Sequence, residues 1–323
     1  MGITVPILLL LTCRHLTRSS IFNYTFTKDL KSNNTNYTTN IRADNLSYYL
    51  SGLLEGDGHI SVPKTLNNST DKLRIAFIEV VFALKDQPSA VLLKNIFGGN
   101  VYKRSNKNCV RWMIQDKNSV IKVINCVNGK FRTPKIKALH SIIDYFNSKG
   151  ENIVKLPLDT SPLASNAWFA GFIDSDGSFM IKGFPINSTK NNLRSYIALQ
   201  FYLPQRAKDV SGESMEPVMK SIADFLQVKL NSREFKGKFP QYIVNTSNNL
   251  SNLKLIQYLN SFHLLSSKFL DANDWEKAYN LFSEKLYKNP VYYEEIKKLK
   301  LNMNKNRTSF SWSHHKSDVY DLN

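Results

Sequence analysis

Apolar residues along the chain fall into short blocks, and the order of these blocks is repeated once. Runs of β-branched and aromatic residues such as "LRIAFIEVVFAL" and "SYIALQFYL" are typical of strands. Longer blocks with apolar residues three and four positions apart, such as "PSAVLLKNIFGG" and "PVMKSIADFLQV", are typical of helices. From Tyr49, and again from Trp168, the elements follow the order helix, strand, strand, helix, strand, strand, helix. The pattern predicts an α+β fold built from two αββαββα halves.

Each half ends with one further predicted helix, and the segments outside the halves are polar or basic. The extra helices are "IKALHSIIDYFN" in the first half and "DANDWEKAYNLFSEKL" in the second, and residues 148–162 form the linker. We therefore divide the chain into an N-terminal extension (1–45), a first half-domain (46–150), a linker with the second half-domain (151–288) and a basic C-terminal tail (289–323).

The N-terminal extension has a composition of its own. Its apolar run, residues 5–11, is far shorter than the roughly 20 residues that span a bilayer, so a transmembrane helix is excluded. Three interpretations stay open: a secretory signal without a preceding basic residue, an organellar presequence, or upstream coding sequence read through in frame. Residues 31–40, "KSNNTNYTTN", lack periodicity and are expected to form a polar, disordered linker.

The charge of the chain indicates a polyanionic partner. The 323 residues include 43 Lys and Arg against 26 Asp and Glu, which gives a formal net charge of +17. Nucleic acid is the first expectation, and an anionic membrane surface is the second. The 3 cysteines lack metal-ligand spacing and are odd in number, which argues against a zinc site and a disulfide framework. Abundant Asn, Lys, Ile and Tyr, which have AT-rich codons, suggest an organellar genome.

The first helix of each half contains the most closely repeated sequence. "YLSGLLEGDGHISV" begins at Tyr49 and "WFAGFIDSDGSFMI" begins at Trp168, so the copies lie 119 residues apart (168 − 49). Two similar halves usually associate about a pseudo-twofold axis, where small residues let backbones approach closely. The residues expected at this helix interface are Ser51, Gly52, Gly56, Ala170, Gly171 and Ser175.

Each repeated helix ends in a carboxylate. Asp57 and Asp176 precede Gly58 and Gly177, which we expect to be left-handed residues that terminate the helices. Acidic side chains at this end oppose the helix dipole, at a cost of up to about 1 kcal/mol. If the helices pack side by side, the two carboxylates also repel each other. A divalent cation would offset both costs, and carboxylates sharing such ions are suited to phosphodiester hydrolysis.

These helix ends have two simpler interpretations. A single "DG" would indicate an ordinary turn, but duplication with matched flanks favours a functional role. An EF-hand loop is excluded, because with Gly177 at its sixth position the outer ligands would be Phe172 and Gly183, and the first copy fails in the same way. Glu55 and Asp174, two residues before the aspartates, are expected in solvent or in cap and inter-helix hydrogen bonds.

"LSGLLEGDG" and "FAGFIDSDG" resemble the two signatures of double-motif LAGLIDADG homing endonucleases, and the resemblance extends over about residues 46–286. It implies a monomer in which two four-stranded antiparallel sheets form a saddle over the DNA major groove. It also implies that Asp57 and Asp176 bind the catalytic Mg²⁺, or another divalent ion such as Mn²⁺. We include Gly56 and Ser175 in the expected metal site.

The resemblance further implies a basic residue before the last helix of each half and a polar residue near the end of the second strand. Lys135 in "FRTPKIKALH" and Lys268 in "HLLSSKFLDANDW" match the first feature. Such a lysine would polarise the attacking water or neutralise the phosphate, and the alternative is an ordinary phosphate contact. Gln205 is the candidate for the second feature, and its first-half counterpart is Lys85 or Gln87.

Basic residues on and beside the strands are the candidates for DNA contacts, since Arg and Lys pair with guanine and with phosphates. They are Lys64, Arg74, Lys103, Arg104, Lys107, Arg111, Lys182, Arg194, Arg233, Lys236 and Lys238. The halves differ at these positions, which predicts a long, imperfectly palindromic target. The basic C-terminal tail is expected to extend phosphate contacts or to be solvated, and His314 and His315 are not expected to bind metal.

The function predicted is therefore Mg²⁺-dependent, site-specific cleavage of double-stranded DNA that promotes homing of a host group I intron. The location expected is the mitochondrion, with the chloroplast as the alternative, and no protein partner is required. An RNA-binding maturase that assists splicing of its own intron is the alternative function, alone or as a second activity. A transcription regulator would be expected to lack one or both aspartates, and both are present.

Overall fold

The computed structural model describes residues 34–63, 75–105, 107–183, 197–234, 239–316 and 319–320, with the backbone alone for residues 34–43 and 287. Five of the predicted DNA contacts, Lys64, Arg74, Arg194, Lys236 and Lys238, lie outside the described residues. The expectations for residues 1–33 lie outside them as well.

The order of elements is the same in the two halves. The first half consists of α1 (Asn34–Gly56), β1 (Gly58–Ser61), β2 (Phe77–Ala83), α2 (Gln87–Phe97), β3 (Asn100–Lys103), β4 (Cys109–Ile114), α3 (Lys117–Val127) and α4 (Ile136–Asn147). The second half consists of α5 (Trp168–Asp176), β5 (Ser178–Gly183), β6 (Ile197–Arg206), α6 (Glu216–Phe225), β7 (Asn231–Arg233), β8 (Gln241–Thr246), α7 (Asn249–Ser261) and α8 (Lys268–Ser283). A further helix, α9 (Pro290–Leu301), follows.

Each half contains one four-stranded antiparallel sheet with the same strand order. The orders are β1-β2-β4-β3 and β5-β6-β8-β7. Alternate residues of the central strands, such as Val80 in β2 and Leu203 in β6, are fully buried against the helices. The period of two leaves the opposite face of each sheet open. The predicted fold class, two αββαββα halves with four-stranded sheets, is confirmed.

The start of α1 differs from the expectation. Residues 34–40, predicted as part of a polar linker, are helical, so the boundary placed between residues 45 and 46 falls inside one helix. The C-terminal part of α1 is anchored by buried residues including Leu46, Tyr49 and Leu50. Adding turns to an anchored helix is far easier than nucleating one, which explains how a weakly helical polar sequence continues it.

The C-terminal tail packs onto the second half. Ile296, Met303 and Tyr320 are each 2% exposed and belong to the same hydrophobic core as Trp168 and Trp275. Neither expectation for the tail, solvation or phosphate contact, accounts for these buried side chains. Among the described residues, no helix is long and apolar enough to cross a membrane.

Candidate active site

The site lies where α1 and α5 pack side by side, and we call this contact the seam. A Cβ atom added to Gly52 would lie 2.0 Å from the carbonyl oxygen of Trp168, and one added to Gly171 would lie 1.9 Å from that of Tyr49. One added to Gly56 would lie 1.8 Å from Ser175 Oγ. The two backbones are therefore in contact at Gly52 and Gly171, and at Gly56 a side chain would collide with that of Ser175.

Two further residues predicted at the seam make their hydrogen bonds within their own halves. Ser51 and Ala170 are fully buried. Ser51 donates its hydroxyl to the carbonyl of Ser47 in its own helix, and the N–H of Ala170 bonds to Tyr258 Oη in its own half. Each precedes the seam glycine by one position, which on a helix is a rotation of about 100° away from the contact.

The seam brings the two aspartates together. The N–H of Asp57 donates to Leu53 across the last turn of α1 (2.9 Å), and Asp176 is the last residue of α5. Asp176 Oδ2 lies 2.9 Å from the point where a Cβ on Gly56 would stand, so this carboxylate lies against the opposite helix. Burial, and then the charge of Asp176, raises the pKa of Asp57 to about 6.

The glycines after the aspartates are not left-handed, contrary to the expectation. Gly177 has φ −74° and ψ 153°, and Gly58 is the first residue of β1 and also has no positive φ. The chain leaves each helix directly into a strand and folds closely over the last turn. A Cβ on Gly58 would lie 2.5 Å from Leu54 O, and one on Gly177 would lie 2.8 Å from Ile173 Cγ2. Glycine is required here by contact.

The two predicted lysines cap the C-terminal ends of the seam helices. Lys135 Nζ donates to the carbonyls of Leu54 (3.0 Å), Gly56 (3.3 Å) and Gly58 (2.9 Å). Lys268 Nζ donates to the carbonyls of residues 173, 174 and 175, at 3.1, 2.7 and 2.9 Å, and two of these, 173 and 175, are the counterparts of Leu54 and Gly56. An ammonium has three N–H donors, so each lysine provides charge but no free donor for a direct phosphate contact. Burial lowers the pKa of both lysines, against the charges of the nearby carboxylates.

Gly56 and Ser175, which we placed in the metal site, present carbonyl oxygens that these lysines already contact. The Ser175 hydroxyl donates within its own helix, to the carbonyl of Phe172 (2.7 Å). The two residues therefore border the aspartates through their backbones.

Glu55 and Asp174 are buried, so the solvent-exposed alternative for them is wrong and the hydrogen-bonded one holds. Glu55 accepts from Trp168 Nε1 across the seam (2.5 Å) and from the N–H of Thr133 (2.5 Å). Asp174 accepts from Tyr49 Oη across the seam (2.5 Å) and from the N–H groups of residues 265 and 266. Each acidic residue thus ties the opposite helix to the loop that carries the lysine of its own half. Burial raises the pKa of Glu55 to about 7.

Tyr49 and Trp168 belong to the site but were not among the residues predicted for it. The signal was present, because both are aromatic residues with a hydrogen-bond donor, and each stands six residues before Glu55 or Asp174 in its own copy. The repeat therefore already placed one aromatic donor and one acidic acceptor, at the same spacing, in each of the two helices.

The candidate amide, Gln205, donates from Nε2 to Asp176 Oδ2 (2.7 Å). In the described part of the first half, no amide side chain occupies the equivalent position. Val80 pairs with Gly58, the glycine after Asp57. Continuing the pairing of β5 with β6 by one residue places Leu203 opposite Gly177, the glycine after Asp176. Val80 therefore corresponds to Leu203, and Phe82 corresponds to Gln205. Neither Lys85 nor Gln87, the two earlier candidates, holds that strand position, because both follow the end of β2. Lys85 lines the same cavity as Asp57 and Phe82, but no contact joins it to the carboxylate.

The donor set at the seam fits a hard divalent cation. Two carboxylates are held close together, and the raised pKa of Asp57 shows that an uncompensated negative charge is unfavourable there. Oxygen ligands of this kind are those that Mg²⁺ and Ca²⁺ prefer. Among the described residues, no cluster of three or more His, Cys, Asp or Glu side chains could hold a metal ion. Further ligands of an ion at the seam would therefore be water, carbonyl or substrate oxygens.

The predicted DNA contacts that the structure describes differ in their positions and exposure. Lys103, Arg104 and Lys107 line one open groove at the β3–β4 turn, and Lys182 and Arg233 are exposed on β5 and β7. Arg111 is engaged, because its guanidinium donates two hydrogen bonds to the carboxylate of Glu79. Arg104 lies 3.7 Å from the same carboxylate. Glu79 therefore neutralises part of this basic surface.

Comparison with known proteins gives one consistent family. The family model described as "LAGLIDADG endonuclease" matches residues 50–148 and 169–279. The intron-encoded DNA endonuclease aI3 of Saccharomyces cerevisiae is 34% identical in an alignment 334 residues long. The alignment covers 90% of this chain and 79% of the relative. The intron-encoded RNA maturase bI4 of the same yeast is 33% identical over 141 residues, which cover 43% of this chain and 19% of the relative.

Solved structures show the same fold. The LAGLIDADG homing endonuclease I-LtrWI bound to target DNA aligns with a TM-score of 0.64 at 18% identity, over 82% of this chain and 99% of that one. I-GzeII in complex with its DNA target aligns with a TM-score of 0.62 at 19% identity, over 81% of this chain and 99% of that one. I-SmaMI has also been solved with uncleaved DNA and calcium ions.

Proposed function

Because the chain belongs to the LAGLIDADG endonuclease family, we propose that it is a monomeric homing endonuclease that cuts both strands of a long, imperfectly palindromic DNA site. Cutting promotes the homing of its host intron. The observation that carries the proposal is the meeting of Asp57 and Asp176 at the seam, one from each half. The family depends on a divalent metal ion, and we propose Mg²⁺ as the ion used, with Mn²⁺ as a substitute.

Each residue of the site has a distinct task in this proposal. Asp57 and Asp176 would hold the ions, which would supply a hydroxide nucleophile and charge stabilisation for the leaving oxygen. Lys135 and Lys268 fix the helix ends that carry the aspartates. Their positive charges stabilise the negative charge that develops on the phosphate during cleavage. Gln205 holds the orientation of Asp176 through its amide N–H. Among the residues that the structure describes, no equivalent hydrogen bond orients Asp57.

The open faces of the two sheets would hold the DNA. The chain carries a net charge of +17, and the groove residues Lys103, Arg104 and Lys107 stand at the rim of the first sheet. Phosphate contacts of this type release counterions, so the binding constant should fall steeply with salt. Different side chains on the two sheets would read different half-sites, which agrees with an imperfect palindrome.

The direct test uses DNA that spans the insertion site of the host intron, with Mg²⁺ or with EDTA. We expect metal-dependent double-strand cleavage by the wild-type protein and none by Asp57→Asn or Asp176→Asn. Both variants should bind the DNA in EDTA as the wild type does. Asp44→Asn is the matched control, because Asp44 lies in the same helix as Gly56 but is 56% exposed on its side chain. Intact cleavage by both seam variants would contradict the proposal.

A second activity in RNA splicing is supported by the similarity to the yeast RNA maturase over 141 residues. We propose that the chain also binds its own intron RNA, on a surface that does not require the aspartates. A splicing assay with the host intron should then give the same rate for wild type and for Asp57→Asn. We also propose a mitochondrial location, which the abundance of amino acids with AT-rich codons and the intron-encoded fungal relatives support. Fractionation of the host organism checks it.

A further inference from the structure

Each active-site lysine lies at the end of a loop. A chain segment that follows the last helix of the same half makes hydrogen bonds to the outer side of that loop. The first loop, residues 131–135, ends at Lys135, and the second loop, residues 264–268, ends at Lys268. Each loop is anchored on its inner side by the buried carboxylate of Glu55 or Asp174. The outer anchors of the two loops are different in sequence but equivalent in position.

The linker forms the outer anchor of the first loop. Arg132 Nη1 donates to Ser161 O (2.7 Å) and its Nη2 donates to Ser161 Oγ (2.8 Å), and the guanidinium pairs with Asp159 (2.5 Å). The N–H of Asp159 donates to Phe131 O (2.8 Å). Residues 159–161 follow α4 and return to the loop just before that helix. We call them the linker bracket.

The C-terminal tail forms the outer anchor of the second loop. The carbonyl of Leu265 accepts from His315 Nε2 (2.8 Å) and from His314 Nε2 (3.2 Å). Since a carbonyl only accepts, both Nε2 atoms must carry the proton. Tyr320 Oη donates to His263 O (2.7 Å). We call His314, His315 and Tyr320 the C-terminal bracket.

The tail before this bracket is itself fastened to the second half. The N–H of Asn304 donates to Asp271 Oδ1 (3.0 Å), and its side chain donates to Phe179 O (3.1 Å). Arg307 pairs with Asp271 (2.8 Å) and with Asp274 (2.7 Å) in α8. The ring of His314 stacks on Phe269 at 4.2 Å between centroids. The bracket is therefore held in place at several points along its length.

The second loop also joins the two halves. Ser89 Oγ of α2 donates to the same Leu265 carbonyl (2.8 Å), and the N–H of Ser267 donates to Asp86 Oδ1 (2.7 Å). The Leu265 carbonyl accepts hydrogen bonds from the first half and from the tail, and it therefore fixes the loop against both. A shift of this loop would move Lys268 from the end of α5, where Asp176 is held.

We propose that the C-terminal bracket is a positioning element for the second active-site loop, and that it is the counterpart of the linker bracket in the first half. Each bracket then supports the cleavage of one DNA strand, the strand that depends on the lysine of its own loop. This inference rests on the proposed endonuclease function. It gives the tail a task in the reaction that is separate from DNA affinity.

The test compares His314→Ala/His315→Ala with Arg132→Met on a DNA target whose strands carry different labels. We expect the histidine variant to cut one strand about tenfold more slowly, the size expected from losing a pair of hydrogen bonds at a catalytic loop. The arginine variant should slow the other strand. DNA affinity in EDTA should stay that of the wild type. His315→Gln keeps a donor near the position of Nε2 and should restore the rate of a His315→Ala variant.

Hydrogen exchange separates positioning from a general loss of stability. The histidine variant should exchange faster at the amides of residues 264–268 and unchanged at those of residues 131–135, and Arg132→Met should show the reverse. Equal slowing of both strands by either variant, or unchanged rates, would overturn the inference. If the double variant does not fold, His315→Ala alone is used. Absence of any metal-dependent cut by the wild type would instead refute the endonuclease function, and the exchange pattern would still test the brackets.

Discussion

Substitution of a seam glycine gives the sharpest test of the architecture. In Gly52→Ala, the new methyl would stand 2.0 Å from Trp168 O and 2.7 Å from the nitrogen of Phe172. Real Cβ atoms essentially never come within 3.0 Å of such atoms, so the helices must separate by about 1 Å. Both contacting atoms belong to the backbone, so no side-chain rotation can relieve the clash.

The cost follows from the contacts that this separation would break. Overpacking a well-packed site costs about 1–3 kcal/mol. The cross-seam bonds from Tyr49 to Asp174 and from Trp168 to Glu55 are both 2.5 Å and would lengthen past hydrogen-bonding range. Each bond to a buried carboxylate is worth about 1.5–3 kcal/mol. Alanine returns up to about 1 kcal/mol in helix propensity. The free energy of unfolding should therefore fall by about 3–9 kcal/mol, a large part of a total near 5–15 kcal/mol.

Equilibrium unfolding in urea, followed by circular dichroism, measures this loss. Ser51→Ala is the matched control, since it lies one residue earlier and gives up only a hydroxyl bond within its own helix. It should change the free energy of unfolding by less than about 1 kcal/mol. Gly171→Ala, the pseudo-symmetric substitution, should resemble Gly52→Ala. The reasoning would be refuted if Gly52→Ala were as stable as the Ser51→Ala control.

Three further predictions concern charge. Glu79→Gln frees Arg111 for a phosphate, so DNA binding should strengthen at low salt and its log–log salt slope should steepen by about 0.9; an unchanged slope would contradict this. Because the pKa of Asp57 is about 6, protons compete with the metal below that pH, and calorimetry should show Mg²⁺ affinity rising to about pH 6 and levelling above it. The pKa of Glu55 is about 7 when folded and 4.5 ordinarily, so the folded protein keeps a proton that the unfolded chain releases between these values. The stability of the wild type relative to Glu55→Gln should therefore fall as pH rises through this window, and a constant difference would contradict the assignment.

The repeat made most of the fold readable from the sequence. Helix and strand blocks recur in the same order, and an error in one copy is corrected by the other, so the order of elements was predicted in full through α8. The glycines at positions 52 and 171 indicated the seam. Glycine weakens the middle of a helix, so it is expected there only where another backbone must approach closely. Asp57 and Asp176 were found because carboxylates at a helix C-terminus are unfavourable without a partner.

Several features depended on tertiary contacts that no local pattern encodes. The conformations of Gly58 and Gly177 follow from the strand that begins there, and the helical state of residues 34–40 follows from the anchored turns after them. The sequence also suggested Lys85 or Gln87 as the first-half counterpart of Gln205, whereas the strand register places Phe82 at that position. A residue's face on a sheet is set by pairing, and pairing is decided between strands far apart in the chain.

The sequence by itself determined which residues are duplicated, and so which helices, carboxylates and lysines belong together. Only the tertiary structure decided what each lysine touches, how Glu55 and Asp174 cross-link the seam, and that the tail returns to Leu265. The physical reason is that propensity and periodicity act over a few neighbouring residues. A hydrogen bond between His315 and Leu265, or between Tyr49 and Asp174, exists only when packing has brought distant segments together.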